Sequence, residues 1–564
     1  MIRLPYSKLI ALLLIIGTSC GVNNTPKEEN KIIRFEGIEF EMPDIFEPVI
    51  PDYSVSITDF GAVNGGKVLN TQAFADAIDA VVEKGGGKVV IPAGVWLTGP
   101  IILKSNLELH AEAGALIIFS DDKDLYPLVN TSFEGLNTWR CMSPIYGVDI
   151  ENVAFTGKGV WDGSGDAWRF VKKSKVTESH WKKLVKSGGT VNEDGDEWYP
   201  SEQYLEAASG PADQNVRSDL KTKEDFMAIR DFLRPVMLSI QNSKRVMLDG
   251  PTFQNSPAWC LHPFIVEDLI VRNVTVRNPW YSQNGDGLDV ESCKNVLVEN
   301  CSFDVGDDAI CIKSGKDEHG RDRGVPCENL VIRNNIVYHG HGGVTVGSEM
   351  SGGVKNMHVS NCTFIGTDVG LRFKSNRGRG GVVEGIYISG VQMKNIPTFA
   401  ISFNLYYGGK SASEMLEEGG ADKRSGEEPV TEKTPQFKDI EIFDIVVDGA
   451  NQAVLLQGLP EMNLENVKLS DMILSADMGI TIADATGIEM KNVQLETKDG
   501  KAIAMYNVKE VDIDNIRFDF DAADNVIIMG NKSAEVSIKS AETGDLTTFV
   551  TVGAEVNKAN IKLK

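Results

Sequence analysis

A short phrase recurs along most of this chain: an apolar residue, any residue, an apolar residue, one more, then Asn, Asp or Gly. It appears as VAFTG (153–157), VMLDG (246–250), LIVRN (269–273), VLVEN (296–300), LVIRN (330–334), MHVSN (357–361) and IYISG (386–390). It continues as IEIFD (440–444), VKLSD (467–471), IEMKN (488–492) and VDIDN (511–515). From Gly250 onward the phrase endings fall 21–34 residues apart, with one step of 54. A unit of that length holds two or three short strands but no helix of its own. Alternation sends one side chain inward and the next outward, so the in-facing Val, Ile, Leu and Cys of successive units align as ladders. Asn and Gly suit the corners because they tolerate a left-handed backbone. The pattern predicts an all-β chain wound as a right-handed parallel β-helix. A leucine-rich-repeat solenoid fits less well, because no LxxLxL phrase recurs.

Stacked repeats let a long chain form one body, so 51–564 reads as a single β-helix domain with insertions at about 158–245 and 408–437. The first insertion carries three helix-prone stretches, roughly Trp168 to Lys186, Ser201 to Ala208 and Leu220 to Phe232. The second holds an acidic loop from Gly408 to Pro435. Segments of this length serve as lids or walls, or stay disordered. The first is expected to be a lid or a cleft wall and the second a mobile surface loop. Near the start, Thr71 precedes an amphipathic stretch from Ala73 to Glu83 that stops at Gly85-Gly86-Gly87. It reads as a helix capping the open end of the solenoid.

Residues 1–20 read as an export signal. Arg3 and Lys8 precede an apolar run from Leu9 to Ile16, then Gly17, Thr18, Ser19 and Cys20. The run is too short to span a membrane. Small residues ending on Cys resemble a bacterial lipoprotein box, with Cys20 as the lipidated N-terminus, although Gly17 stands where Leu is usual. An ordinary cleaved signal is the alternative. The lipoprotein reading implies an exported protein at the periplasm or cell surface, touching the membrane only through its lipid. Residues 21–50 then form a linker and N-terminal extension, with a flexible tether from Gly21 to Lys31.

The formal charge is −24 and the sequence pI is near 4.8. That excludes a general nucleic-acid binder, which shows a basic field. An acidic substrate would be repelled at long range, so binding one requires a local cluster of cations. With Cys20 set aside, seven cysteines remain, several in strand-like runs (Cys301, Cys311, Cys362), and read as buried thiols. No Cys/His spacing suggests a zinc site.

The densest polar signal lies between Asn284 and Lys374: Asn284-Gly285-Asp286-Gly287, Gly306-Asp307-Asp308, Gly340-His341-Gly342 and Arg372-Phe373-Lys374. Taken singly, each is a turn or a surface feature. Their phase on the repeat makes them a set. Asp307 lies seven residues after Asn300 and His341 seven after Asn334, so both occupy the same place on successive coils. Asp286 precedes Asp307 by 21, about one coil. Arg372 and Lys374, two apart, face the same side of a strand. Crowded carboxylates cannot all ionise freely, so one stays protonated as a general acid while the others activate water. That is the equipment of an inverting glycosidase, and paired cations suit a sugar bearing a carboxylate.

The set NGDG, GDDAICIK, GHGG and RFK resembles glycoside hydrolase family 28, the polygalacturonases, over residues from about 55 to 460. The resemblance implies inverting hydrolysis of α-1,4-galacturonosyl bonds in pectic polysaccharide or its oligosaccharides, without cofactor or metal. It assigns Asp307 as general acid, Asp286 and Asp308 as the pair that positions and activates water, and His341 as the residue tuning the acid. Arg372 and Lys374 become binders of the substrate carboxylate, and Tyr406 or Tyr407 a substrate contact. Gly285 in place of Thr, and Phe373 in place of Ile, are departures of small expected effect. Trp259 and His262 line a subsite or pack in the core, and Lys313 neighbours a subsite. The first insertion, with SGKDEHGR and HGHGGVTVGSEMSGG, resembles bacterial exo-acting members. Alternatives are a rhamnogalacturonan hydrolase of the same family, a Ca²⁺-dependent pectate lyase-like β-helix, and a non-catalytic glycan-binding β-helix.

Overall fold

In the computed structural model the repeating phrases lie in register, each on the one before. One ladder of in-facing residues runs Leu107, Val153, Val246, Leu269, Val296, Leu330, Met357, Ile386, Ile440, Val467, Ile488, Val511, Val536 and Ile561, every step a parallel pair. The structure describes residues 31–210, 215–406, 426–498, 501–518, 525–540 and 548–563. These form a right-handed parallel β-helix, with its apolar core a continuous column from Ile57 to Val556. Full burial of each Val, Ile or Leu in that column contributes about 1.5–3 kcal/mol.

Both ends of the phrase turn through left-handed residues, as its Asn and Gly predict. After it come Asn273, Asn300, Asn334, Asn361, Asp444, Asp471, Asn492 and Asn515, with φ between 53° and 60°. Before it, Asn295, Asn329 and Asn356 have the same backbone, and their side-chain amides bond up the stack: Asn329 Nδ2 donates to Asn295 Oδ1 (3.2 Å) and Asn356 Nδ2 to Asn329 Oδ1 (3.1 Å). This ladder satisfies polar groups at a corner that would otherwise be half-buried and unpaired. The seven described cysteines are free and buried, and burial pushes their thiols up, Cys362 to about 11.

The N-terminal cap is the helix Thr71–Val82, which buries Ala73, Phe74, Ala77, Ile78 and Val81 on the first coil. Residues 31–50 are more than a linker. Ile32–Ile33 pairs antiparallel with Ile45–Phe46, and Ile45 packs on Ala154, Met247, Ile270, Leu297 and Val331 along the flank of the solenoid. Arg272 to Glu47 and His358 to Glu39 (both 2.7 Å) fasten this segment. Cys20 and the rest of the tether lie outside the described residues.

The first insertion is less helical than its composition predicts. Its first helix begins at Glu178 and ends at Ser187, because Trp168 is buried against Tyr126 and Val171–Lys172 joins a three-stranded antiparallel sheet with Thr190–Val191 and Glu197–Tyr199. Short helices follow at Glu202–Ala208 and Lys223–Met227. A second excursion gives no insertion signal in the phrase spacing: the hairpin Leu128–Phe133 and Leu136–Cys141 stands beside the first. Of the second insertion, residues from 426 are described, and Lys433 O accepts from Gly378 and Gly380 (both 2.9 Å).

Candidate active site

The strand pairing Leu288, Ile310, Val344, Leu371 fixes the catalytic corner. Two residues before Leu288 stands Asp286, and two before Ile310 stands Asp308, so these carboxylates share one column. Asp307 and His341 share the next, with His341 N donating to Asp307 O (2.9 Å). One oxygen each of Asp286, Asp307 and Asp308 lies within 4.8 Å of the others. Asp286 and Asp308 are buried, and Asp307 is the partly exposed member. The three carboxylates thus come together in space, with Asp286 equivalent to Asp308 rather than to Asp307.

Beside this corner the strands carry outward-facing columns. Arg372 pairs with Thr345, and Thr345 with Cys311. Arg372 Nη1 donates to Asp308 Oδ1 (3.0 Å) and Lys374 Nζ to Asp308 Oδ2 (2.8 Å). Burial pushes the Asp308 carboxyl up, but Lys374, Arg372 and His341 outweigh it and hold Asp308 well below the usual carboxylate range. Asp286 moves the other way, raised well above its ordinary value by burial first and then by Asp289 and Asp307. Its Oδ1 is buried with no hydrogen-bond partner among the described residues. The cluster thus keeps Asp308 ionised and favours the protonated form of Asp286.

His341 lines the cleft and its Nδ1 lies 2.7 Å from Asp368 Oδ2. A carboxylate there orients the ring and leaves the other nitrogen for the site. Small residues make the space. A Cβ on Gly342 would stand 2.7 Å from Asp308 Oδ1, and one on Gly285 would stand 1.9 Å from Ser282 Oγ. Gly285 is therefore more than a neutral replacement: a Thr there requires the loop at Ser282, whose Oγ donates to Pro279 O (2.6 Å), to move. Phe373 points into the core and stacks on Phe403 at 4.2 Å.

The carboxylates open into a cleft of about 560 Å³. Its cations are Lys172, Lys313, Lys316, Lys374 and Arg379, and they stand among the carboxylates Glu134, Glu197, Asp286, Asp307, Asp308 and Glu349. Lys313 is buried, 3.4 Å from Asp289 Oδ1 and 3.2 Å from Glu349 Oε2, with the face of Trp259 at 4.2 Å. Burial works to lower its pKa, yet Cys311, Glu349, Asp289 and Asp286 raise it well above the usual lysine value. Asp289 is pushed up to about 8, chiefly by burial, with Lys313 opposing and Asp308 adding. Trp259 lines the cleft and stacks on Phe133 (4.7 Å), whereas His262 is buried and paired with Glu291 (2.9 Å). Tyr406 is not among the lining residues; its ring lies 5.6 Å below Arg377. Tyr407 lies outside the described residues.

Sequence reasoning missed Asp289, Asp368, Glu349, Arg379 and Lys316, and the wall residues Glu134, Phe170, Tyr199, Tyr204, Asn215 and Phe232. Asp289 carries a signal, since it falls on the strand after NGDG at an outward position. Most of the wall comes from the first insertion, where expectation placed it.

Residues 172–416 match the family described as Glycosyl hydrolases family 28. The crystal structure of a hyperthermoactive exopolygalacturonase from Thermotoga maritima is 32% identical, with 80% of this chain and 93% of that one covered and a TM-score of 0.63. The chain belongs to glycosyl hydrolase family 28. Further relatives in the family are an exo-poly-alpha-D-galacturonosidase of Dickeya chrysanthemi, 26% identical over 78% of this chain and 70% of that protein, and an endo-polygalacturonase of Pectobacterium carotovorum, 26% identical over 72% and 86%. As a family 28 member the chain is a glycoside hydrolase.

Proposed function

We propose that this enzyme hydrolyses α-1,4-galacturonosyl bonds of polygalacturonate or its oligosaccharides, removing sugar from chain ends with inversion. The observation that carries this reading is the triad Asp286, Asp307 and Asp308 in a cleft that also holds Lys313, Lys316, Lys374 and Arg379, with the first insertion as its wall. Asp307, the accessible carboxyl, protonates the leaving oxygen. Asp308 stays ionised between Arg372 and Lys374 and takes the proton of a water that it and Asp286 position. As the developing charge moves through the cluster, Lys374 and Arg372 hold both Asp308 and the substrate carboxylate beside it.

The carboxylates stand closer than the roughly 6.5–9.5 Å usual for inverting enzymes. Inversion is supported instead by the recessed setting of Asp286 and Asp308, and by Asp308 having both oxygens engaged. Neither is presented as a nucleophile. Proton NMR of the first product reads this directly: β-galacturonate appearing first supports inversion, and α-galacturonate first refutes it.

End-cleavage is supported by the wall and by exo-acting relatives. Incubation with polygalacturonate tests it: galacturonate as the only small product at early times supports it, and a ladder of oligomers refutes it. We also propose that residues 1–20 direct export and that Cys20 carries the lipid. Cys20→Ala would then move the enzyme from the membrane to the soluble fraction, and unchanged partitioning would contradict the anchor.

A further inference from the structure

The hairpin Leu128–Phe133 and Leu136–Cys141 turns through Glu134 and Gly135, both left-handed (φ 49° and 71°). A two-residue turn of this kind favours Asn-Gly or Asp-Gly, and a long, unbranched acidic side chain is an uncommon choice at its first position. Glu134 therefore occupies this place against local preference, and such exceptions point to a role for the side chain.

Its surroundings supply one. Phe133 stacks on Trp259, and Arg140 crosses under the hairpin, its Nε and Nη2 donating to Arg234 O (3.0 and 2.6 Å) and its Nη1 to Asn215 O (2.7 Å). The tip reaches across to the loop after Lys313, where Lys316 N donates to Gly135 O (3.3 Å) and a Cβ on Gly135 would come within 2.5 Å of that nitrogen. The hairpin thus bridges from the insertion to the opposite rim and closes one end of the cleft. Glu134 lines that end, its Oε1 accepting from Asn215 Nδ2 (2.6 Å). Gln283 lines the same cleft with a buried Nε2 that has no partner among the described residues. Burial and the nearby Glu349 raise the Glu134 carboxyl, while Asn215, Lys316 and Lys313 oppose them, a setting that suits a neutral hydroxyl better than a second carboxylate.

We propose that Glu134 is a specificity-determining residue: fixed by Asn215, its carboxyl hydrogen-bonds a ring hydroxyl of the terminal sugar where the hairpin closes the cleft. The proposal rests on the chain-end reading above. It says which side chain recognises the end.

The experiment measures kcat and KM on trigalacturonate, with product profiles and thermal unfolding, for wild type, Glu134→Asn and Glu134→Gln. Asn suits the turn, so Glu134→Asn is expected to unfold at or above the wild-type temperature while KM rises about tenfold and kcat stays within about threefold. Glu134→Gln, equal in length and able to donate, keeps KM within about threefold of wild type. An unchanged KM in Glu134→Asn, an equal rise in both variants, or a KM rise accompanied by a loss of stability overturns the role of Glu134. An oligomer ladder from polygalacturonate digested by wild type, or no hydrolysis by wild type, would instead overturn the chain-end reading, and the proposal with it.

Discussion

Lys374 Nζ stands 2.8 Å from Asp308 Oδ2, and the pair joins two coils whose residues are 66 positions apart. With Arg372 on the other oxygen, this contact keeps Asp308 ionised through the acidic range in which its neighbours hold a proton. Lys374→Ala removes the counter-charge and leaves a buried carboxylate half-paired. Activity is expected to fall at least about a hundredfold, and the acid limb of the kcat/KM profile to move to higher pH as Asp308 begins to titrate. An acid limb that stays in place would mean that Lys374 acts on substrate alone.

The division of labour among the three aspartates is testable by leaving group. A general acid matters less when the leaving group needs no proton. Asp307→Asn is expected to lose about 10³-fold or more on galacturonides with a sugar leaving group, and to recover much of that on an aryl galacturonide. Asp286→Asn is expected to be impaired on both. The opposite pattern would make Asp286, whose carboxyl is raised well above its ordinary value, the proton donor.

Much of this site is legible in the sequence because the fold is periodic. Once VLVEN and LVIRN are seen as the same rung, Asp307 and His341 must stack, and the register bears this out through Val296 on Leu330. What escapes the period escapes the reading. Asp368 reaches His341 from a corner, and Glu134 sits on a hairpin that the phrase spacing does not register. The SFEGLN tract does carry a turn signal, Glu-Gly between alternating strands. The family resemblance assigns Arg372 and Lys374 to the substrate carboxylate; both also meet Asp308, a contact that depends on side-chain reach rather than on spacing.

Asp289 should make stability depend on pH. Its folded pKa of about 8 lies above the unfolded value of about 4, so its carboxyl destabilises the fold increasingly as pH rises through that window. Asp289→Asn removes this penalty. Its unfolding temperature relative to wild type is expected to climb between about pH 4 and pH 8, worth at least ~1 kcal/mol at the upper end. A difference that is flat or falls with pH would contradict the buried, protonated setting.

Three carboxylates within 4.8 Å offer a place for a cation, yet the proposed hydrolysis runs on proton transfer. Chelation is expected to leave kcat and KM unchanged, and the product to gain no ultraviolet absorbance from a new double bond. Loss of activity on chelation, restored by Ca²⁺, would point to a lyase.

The early product of trigalacturonate digestion, by wild type and by Asp307→Asn, tests the central claim most directly. Wild type is expected to release free galacturonate one unit at a time, and the variant almost none. An unsaturated product, or release by Asp307→Asn at the wild-type rate, would contradict acid-catalysed hydrolysis at this cluster.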